Sequence, residues 1–289
     1  MDRKEDDPDV REARSAILKR GWVKDILDPQ EPRGNWEPIE DLYHPKYTST
    51  NWRMIVLSDF GLTAQDDPRL ERGCQLFFTH KQWLGNEDAF ENGAELCISG
   101  NLTRTLTKFG YGDDPRVQRV VKWLVDTQKI DGGWHCFPSD KGTLDCWEAL
   151  AAYAAIPKSK RTKSIRNSID GGAEFYLERE LHKEGQKYAP WYRFHYPTHY
   201  YYDLLIGMDV LTSLGFGSDK RLGFALNLLK QKRRPDGKWM IDATHPDIAR
   251  GAGYKIRDQR KRFALEDEGK PSKWITLTAL RVLKRVDEA

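Results

Sequence analysis

A repeated frame of helix, loop and helix constrains the fold of this chain more than any other feature of its sequence. Two segments match at a constant offset of 105 residues, which pairs Asp114 with Asp219 and Trp134 with Trp239. In each segment an amphipathic stretch is followed by Asp-Gly-X-Trp, a loop and a second apolar stretch. Internal repeats of this kind indicate a chain built by stacking similar units.

Several repeats open on an acidic segment that is typical of a helix start. The sequence Asp-Asp-Pro-Arg begins at Asp66 and again at Asp113. An Asp before Pro favours a first helical turn, because its carboxylate caps free backbone amides and Pro suits that position. Neither copy has the third acid of a metal-binding Asp-Asp-X-X-Asp motif, since Leu70 and Val117 stand there. We therefore interpret these segments as helix caps.

A second apolar helix is predicted in each of five units, at residues 50–61, 96–110, 143–156, 198–215 and 272–285. Several of these stretches end in Gly, which is typical of a left-handed helix cap, and no run with strand periodicity competes with them. The second helices are more apolar and aromatic than the first, so we expect them to lie inside. The sequence thus predicts an all-α chain of five stacked helical hairpins, folded as a single domain over residues 1–289.

One segment carries a resemblance to a known family. Residues 120–134, VVKWLVDTQKIDGGW, resemble the QW motif of the squalene and oxidosqualene cyclases, with Gln128 and Trp134 at that motif's spacing. In the later copy Arg233 replaces the Gln ahead of Trp239. The order of hairpins is similar to the wider squalene cyclase and prenyltransferase repeat group. In that group the Gln and Trp are structural, and tie the end of an outer helix to the next inner helix.

The resemblance extends over roughly Asp6 to Arg285 and implies an α/α toroid of five to six hairpins. Family toroids commonly have six hairpins, whereas five are counted in this sequence. It stays open whether a sixth is missing or comes from a neighbouring chain, and with it whether the protein is a homo-oligomer.

The first functional hypothesis is terpene-cyclase-like chemistry, an isomerase or prenyl transferase activity on a small hydrophobic or isoprenoid-like molecule held in the central cavity. The run DCWEA at residues 145–149 is similar at its first two positions to the acidic Asp-Cys-Thr-Ala-Glu motif of oxidosqualene cyclases, which implies that Asp145 is the acid. It departs from that motif at Trp147 and Glu148. Aromatic faces stabilise the cations that follow protonation of an alkene. The predicted substrate-binding residues are Trp52, Asn101, Trp147, Arg193, His195, Tyr200, Tyr201 and Trp274.

The second hypothesis is a zinc-dependent enzyme at the same rim, where the N-termini of the inner helices are expected to meet. Cys thiolates and His are usual zinc ligands, and Cys97, Cys136 and His199 precede or open successive inner helices. Protein prenyltransferases, which share the toroid, hold zinc with an Asp, a Cys two residues later and a later His. Here Asp145 and Cys146 are adjacent, so that spacing is not met, although His199 matches the His.

The third hypothesis is a non-catalytic binding scaffold, since a helical toroid offers a concave surface. The run WYRFHYPTHYYY at residues 191–202 is unusually aromatic and is a candidate lining for such a surface.

Partners and location follow from what the sequence lacks. No apolar run approaches the ~18 residues of a membrane span. The start, MDRKEDDPDV, has no signal-peptide core, so we expect a cytoplasmic protein with reduced cysteines. Basic clusters occur at 158–163, 230–234 and 255–262, but aromatic residues are not interleaved within them. We interpret them as solvated helix ends and expect no nucleic-acid partner.

Overall fold

The computed structural model describes residues 3–4, 6–79, 95–244 and 263–289. These residues are mostly helical, which confirms the all-α prediction at that level. The α-helices are α1 (Pro8–Ile17), α2 (Trp22–Leu27), α3 (Thr50–Ser58), α4 (Pro68–Thr79), α5 (Leu96–Leu106), α6 (Pro115–Asp126), α7 (Glu148–Ala155), α8 (Lys163–Glu178), α9 (Leu204–Leu214), α10 (Gly223–Gln231) and α11 (Lys273–Asp287). The basic cluster predicted at 255–262 lies outside the described residues.

Shorter elements connect these helices. A π-helical turn, Thr107–Tyr111, extends α5, and 3₁₀ turns lie at Lys158–Lys160, Ala189–Tyr192 and Lys220–Leu222. Two two-residue strands, β1 (Trp239–Met240) and β2 (Pro271–Ser272), pair antiparallel with Trp239 opposite Ser272. No helix in the described ranges is long and apolar enough to cross a membrane.

The acidic segments cap helices, as predicted. The side chains of Asp7, Asp114 and Asp219 each accept a hydrogen bond from the backbone amide two residues ahead. Asp67 does the same at the start of α4. At three of these caps an Arg two residues on also pairs with the Asp, as Arg116 does with Asp114 at 2.7 Å. The recurrence of Asp-Asp-Pro-Arg is therefore explained by helix capping.

The second helix of each unit packs against the second helix of the next. In chain order α3 packs on α5, α5 on α7, α7 on α9, and α9 on α11. These helices are buried on most sides, and in α3 every residue from Thr50 to Ser58 except Arg53 is buried. In contrast, α6 buries one stripe, formed by Val117, Val120, Val121 and Leu124. The second helices are thus more deeply buried than α6, which buries a single face.

Three Gly-X-Trp junctions are built in the same way. Trp36, Trp134 and Trp239 are buried, and each indole donates a hydrogen bond to the carbonyl ten residues earlier, at 2.7, 2.8 and 2.7 Å. The Gly two residues before each Trp has a positive φ, of 95°, 85° and 81° in turn. These are backbone angles that favour Gly. The first junction reads Gly-Asn-Trp and lacks the Asp that precedes the Gly in the other two. Its structure is nevertheless equivalent to theirs.

The Gln of the motif bonds to the backbone of the next outer helix. Gln128 Nε2 donates to the carbonyls of Gly132 at 2.7 Å and Ser168, in α8, at 2.9 Å. Gln30 repeats the pattern, donating to Gly34 at 3.0 Å and to Arg69, in α4, at 2.9 Å. The motif was expected to tie each outer helix to the next inner helix. The Gln side-chain amide instead bonds to the first helix of the following unit, which is α8 for Gln128 and α4 for Gln30. Its two N–H groups donate to one carbonyl of the junction and one carbonyl of that helix.

Removing this amide is expected to destabilise the protein. Gln128→Ala should lower the free energy of unfolding by about 1–3 kcal/mol, since two partly buried carbonyls lose their donor. Arg233→Ala, at the corresponding position of the later junction, should cost about 0.5–1 kcal/mol, because Arg233 stacks over the Trp239 ring at 5.4 Å. Urea denaturation of both variants measures the difference, and equal losses would contradict this account.

Candidate functional site

The starts of α5 and α7 lie against each other with no room for a side chain between them. A Cβ added at Gly100 would lie 2.6 Å from Cβ of Glu148 and 2.7 Å from its carbonyl carbon. Gly100 is in the second turn of α5, and Glu148 is the first residue of α7. This close approach brings the residues just before and within both helix starts to one place.

The segment before α9 covers these helix starts. Asn101 Nδ2 donates to the carbonyl of His199 at 2.9 Å, and Trp147 Nε1 donates to the carbonyl of Tyr200 at 3.2 Å. His199 has a φ of 46°, a left-handed conformation that is uncommon for His. Three separate parts of the sequence, around residues 101, 147 and 200, are therefore joined by these two hydrogen bonds.

Rings from three regions of the chain form a group that we call the aromatic cluster. His199 lies 4.8 Å from Tyr47 and 5.4 Å from Trp52, measured between ring centroids. Tyr200 stacks on Tyr201 at 4.4 Å. The members of the cluster are Tyr43, Tyr47, Trp52, His199, Tyr200, Tyr201 and Phe263.

Three phenols of the aromatic cluster share a hydroxyl network. The Tyr47 and Tyr200 hydroxyls are 3.1 Å apart, and Tyr200 donates to Tyr201 at 3.0 Å. Lys46 Nζ lies 3.4 Å from the Tyr200 hydroxyl and 5.2 Å from the centre of that ring. Burial raises the pKa of Tyr47, and the neighbouring Tyr200 adds to the effect, so its hydroxyl stays neutral.

The loop between α6 and α7 is tied down at several points. Gly142 N–H donates to both carboxylate oxygens of Asp131 at 3.1 Å. Glu184 accepts from the Thr143 hydroxyl and from the Leu144 amide, both at 2.6 Å. Tyr176 donates its hydroxyl to the Leu144 carbonyl at 2.8 Å. These contacts set the position of the two cysteines in this loop, Cys136 and Cys146.

Three of the four cysteines of the chain converge, and we call them the thiol cluster: Cys97, Cys136 and Cys146. The Cys146 thiol donates to Cys136 Sγ at 3.7 Å. Cys97, in the first turn of α5, donates to Glu95 at 3.7 Å. The hydrogen bond from Cys146, with Cys97 close by, lowers the pKa of Cys136, because it stabilises the thiolate. The same contacts and burial raise the pKa of the other two thiols.

Glu148 is a carboxyl group sealed inside the protein. Its exposed fraction is 0%, and neither of its oxygens has a hydrogen-bond partner within the described ranges. Burial, followed by the nearby Cys136, raises the pKa of Glu148 well above its ordinary value, while Arg104 opposes the shift. A buried carboxyl without a partner keeps its proton to a higher pH than a solvated one, because its charged form is poorly solvated.

Arg104 faces the same interior from α5. Its guanidinium carbon lies 5.1 Å from the centre of the Trp147 ring. The side chain is buried, and its Nε and Nη2 atoms have no hydrogen-bond partner in the part of the chain that the structure describes. A guanidinium with two unbonded nitrogens and a carboxyl with two unbonded oxygens are thus buried near one another in the described part of the chain. Such groups are ready to bind a polar atom placed between them.

Asp145, the expected acid, does not lie in this interior. Its side chain is exposed, and its Oδ1 atom accepts a hydrogen bond from Trp191 Nε1 at 2.8 Å. It lies in a turn three residues before α7 and is exposed there, whereas Glu148 lies in the buried interface between α5 and α7.

The expected zinc ligands do not assemble. Across the described ranges no group of three or more His, Cys, Asp or Glu side chains has an arrangement that holds a metal ion. Cys97 and Cys136 do lie together, but the ring of His199 is packed among Tyr47, Trp52 and Phe263. The imidazole that the zinc hypothesis placed beside the thiols therefore packs in the aromatic cluster instead.

Three other predicted residues are held mainly by groups outside the aromatic cluster, although the His195 ring also lies 6.5 Å from the Tyr201 ring. Arg193 donates to the carbonyl of Asp242 at 2.8 Å. His195 is buried and its Nδ1 is 2.7 Å from Asp203, the residue that caps α9. Trp274 stacks on Tyr196 at 4.4 Å. In contrast, Trp52, Asn101, Trp147, Tyr200 and Tyr201 meet as a group.

Sequence reasoning missed Arg104, Tyr43 and Tyr47, and it placed Glu148 among the candidates at the start of an inner helix but assigned the acid to Asp145. Arg104 and Glu148 had a usable signal, because each is a charged residue inside a segment predicted to be a buried inner helix. Tyr43 and Tyr47 had none, since they lie in an irregular stretch between α2 and α3. No protein-family model matches the chain, and no curated protein sequence matches it.

Proposed function

We propose that this chain is a terpene-cyclase-like α/α toroid that binds a hydrophobic, isoprenoid-like molecule in its interior and protonates it from Glu148. The observation that carries the proposal is the carboxyl of Glu148, which is fully buried, has no hydrogen-bond partner in the described ranges and has a raised pKa. Acid-initiated chemistry on an alkene needs a carboxyl that still holds its proton at neutral pH.

Contacts between the ends of the helix series support a closed ring. Phe60, just after α3, lies 5.6 Å from Trp274 in α11, in an edge-to-face contact. Leu265, ahead of α11, packs against both of the large hydrophobic clusters. Together with the packing of second helices in chain order, these contacts favour an arrangement in which the first and last inner helices adjoin.

The rings near Glu148 suit the intermediate that protonation would form. Trp147 directly precedes the acid, its indole N–H donates to the Tyr200 carbonyl, and the Arg104 guanidinium lies 5.1 Å from the centre of its ring. Tyr200 connects Trp147 to the aromatic cluster. The negative faces of such rings attract a cation by an interaction that strengthens when water is excluded.

The proposed reaction balances in protons. The carboxylic acid of Glu148 transfers its proton to one carbon of a carbon–carbon double bond, and the adjacent carbon becomes cationic. The cation then loses a proton from a neighbouring carbon to the Glu148 carboxylate, which restores the acid. The net change is isomerisation, or cyclisation if a second double bond of the same molecule attacks the cation first.

Deuterium incorporation tests this assignment. The purified protein is incubated in D₂O with farnesol, geranylgeraniol or squalene as probes, and the recovered isoprenoid is analysed by mass spectrometry. We expect the wild type to incorporate deuterium and Glu148→Gln to lose about 10²–10⁴-fold in rate. Asp145→Asn is the control and should retain the wild-type rate, since Asp145 is exposed.

Two results would overturn the proposal. Equal rates for the wild type and Glu148→Gln would remove Glu148 as the acid. Saturable binding of a probe, seen as tryptophan fluorescence quenching, without incorporation by any probe would instead support the non-catalytic scaffold.

A further inference from the structure

The thiol cluster is the strongest feature that the proposed function leaves unused. A buried Cys is usually a small core residue, and Cys74, packed alone in one hydrophobic cluster, fits that description. The other three cysteines differ, because they come from two regions of the sequence and lie together beside Glu148. Cys146 also packs in the main hydrophobic core, but its thiol donates to Cys136 Sγ, and the Cys97 thiol donates to Glu95.

We propose that Cys136 and Cys146 form a reversible disulfide by exchange with a low-molecular-weight disulfide such as oxidised glutathione. Their sulfur atoms are 3.7 Å apart, and the Cys146 thiol already points at Cys136 Sγ. A disulfide requires a separation of about 2.05 Å, so a small shift of the loop brings the two sulfurs into bonding distance. This inference does not depend on the proposed catalytic activity.

Exposure assigns the order of the two steps. Cys136 is partly exposed, whereas Cys146 is buried. Cys136 is therefore the thiol that an outside molecule reaches, and Cys146 is the thiol that resolves the intermediate. An attacking thiol followed by a resolving thiol nearby is the usual arrangement of redox-active cysteines.

The exchange balances in atoms and electrons. The Cys136 thiolate attacks one sulfur of oxidised glutathione, which forms a mixed disulfide and releases one glutathione thiolate. Cys146 loses its proton to solvent and attacks Cys136 Sγ, which forms the intramolecular disulfide and releases the second glutathione. Two protein thiols are oxidised, and one glutathione disulfide is reduced to two thiols.

Oxidation links the ends of the loop that leads into α7. Cys136 lies in the stretch after the buried Trp134, and Cys146 lies two residues before Glu148. The bond would therefore join the loop to the start of α7 at the point where the carboxyl of Glu148 is buried. A reductant such as dithiothreitol would restore the thiols.

Peptide mapping of the full chain tests the linkage. The native protein is treated with oxidised glutathione, free thiols are blocked with iodoacetamide, and the protein is digested with trypsin. Cleavage at Lys141 separates the two cysteines, so the disulfide appears as peptide 130–141 joined to peptide 142–158. We expect this linked pair in the wild type and in Cys74→Ser, and its complete loss in Cys136→Ser, Cys146→Ser and after dithiothreitol.

Other outcomes contradict the proposal. Glutathione that stays on Cys136 of the wild type without transfer would show that Cys146 does not resolve it. A linked peptide containing Cys97 in higher yield would assign the wrong partner. Metal analysis of the purified protein accompanies the mapping, and a full equivalent of zinc that blocks all three thiols from glutathione would replace the redox pair with a metal site.

Discussion

The variant Glu148→Gln is expected to become more stable relative to the wild type as the pH rises. The folded-state pKa of Glu148 is raised above its ordinary value of 4.5, and the group is fully buried. Its protonated form therefore contributes stability that is complete below about pH 4.5 and is lost as the pH rises toward the folded-state pKa. The loss amounts to about 1.4 kcal/mol for each pH unit in that window, and a glutamine does not titrate.

Urea denaturation between pH 4.5 and 8.5 measures this difference. Asp145→Asn is the comparison variant, three residues away but exposed, and because it keeps Glu148 its stability should still fall with rising pH as that of the wild type does. A difference in unfolding free energy between Glu148→Gln and the wild type that stays constant across this pH range would mean that the Glu148 carboxylate is solvated in the folded state.

Gly100→Ala is expected to be among the most damaging single substitutions in the chain. The new Cβ would lie 2.6 Å from Cβ of Glu148, 2.7 Å from its carbonyl carbon and 2.9 Å from its carbonyl oxygen. Two of these atoms are backbone, so α5 and α7 must separate to admit the methyl group. We expect a loss of about 3 kcal/mol, at the upper end of the usual cost of overpacking, together with loss of the linked peptide.

Gly223→Ala is the control for this substitution. Gly223 starts α10, and a Cβ there meets no atom within 4 Å. Because Ala favours a helix more than Gly does, this variant should gain about 0.5–1 kcal/mol. Thermal unfolding of the two variants compares them directly. A neutral Gly100→Ala would show that the interface between α5 and α7 is not closely packed.

The helices were largely predictable because their signals are local. The caps at Asp114 and Asp219 and the apolar stripe of α6 depend only on residues a few positions apart. The equivalence of Gln30 and Trp36 to Gln128 and Trp134 was harder to see. It depends on the hydrogen bonds to Arg69 and Ser168, which are about 40 residues away in sequence.

The site was predictable only in part, because it depends on side-chain direction. The sequence singled out Trp52, Asn101, Trp147 and Tyr200 because each stands in the first part of a predicted second helix. Position alone does not decide between Asp145 and Glu148, since both stand near the start of α7. A turn leaves the first exposed and the helix interface buries the second.

The central claim is that Glu148 carries a proton inside the protein at neutral pH. The most direct test is a pH titration of its side-chain carboxyl ¹³C resonance, assigned by its absence in Glu148→Gln. The account predicts a resonance that remains in the protonated position through pH 7. A carboxyl that titrates near its ordinary value of 4.5 would contradict it.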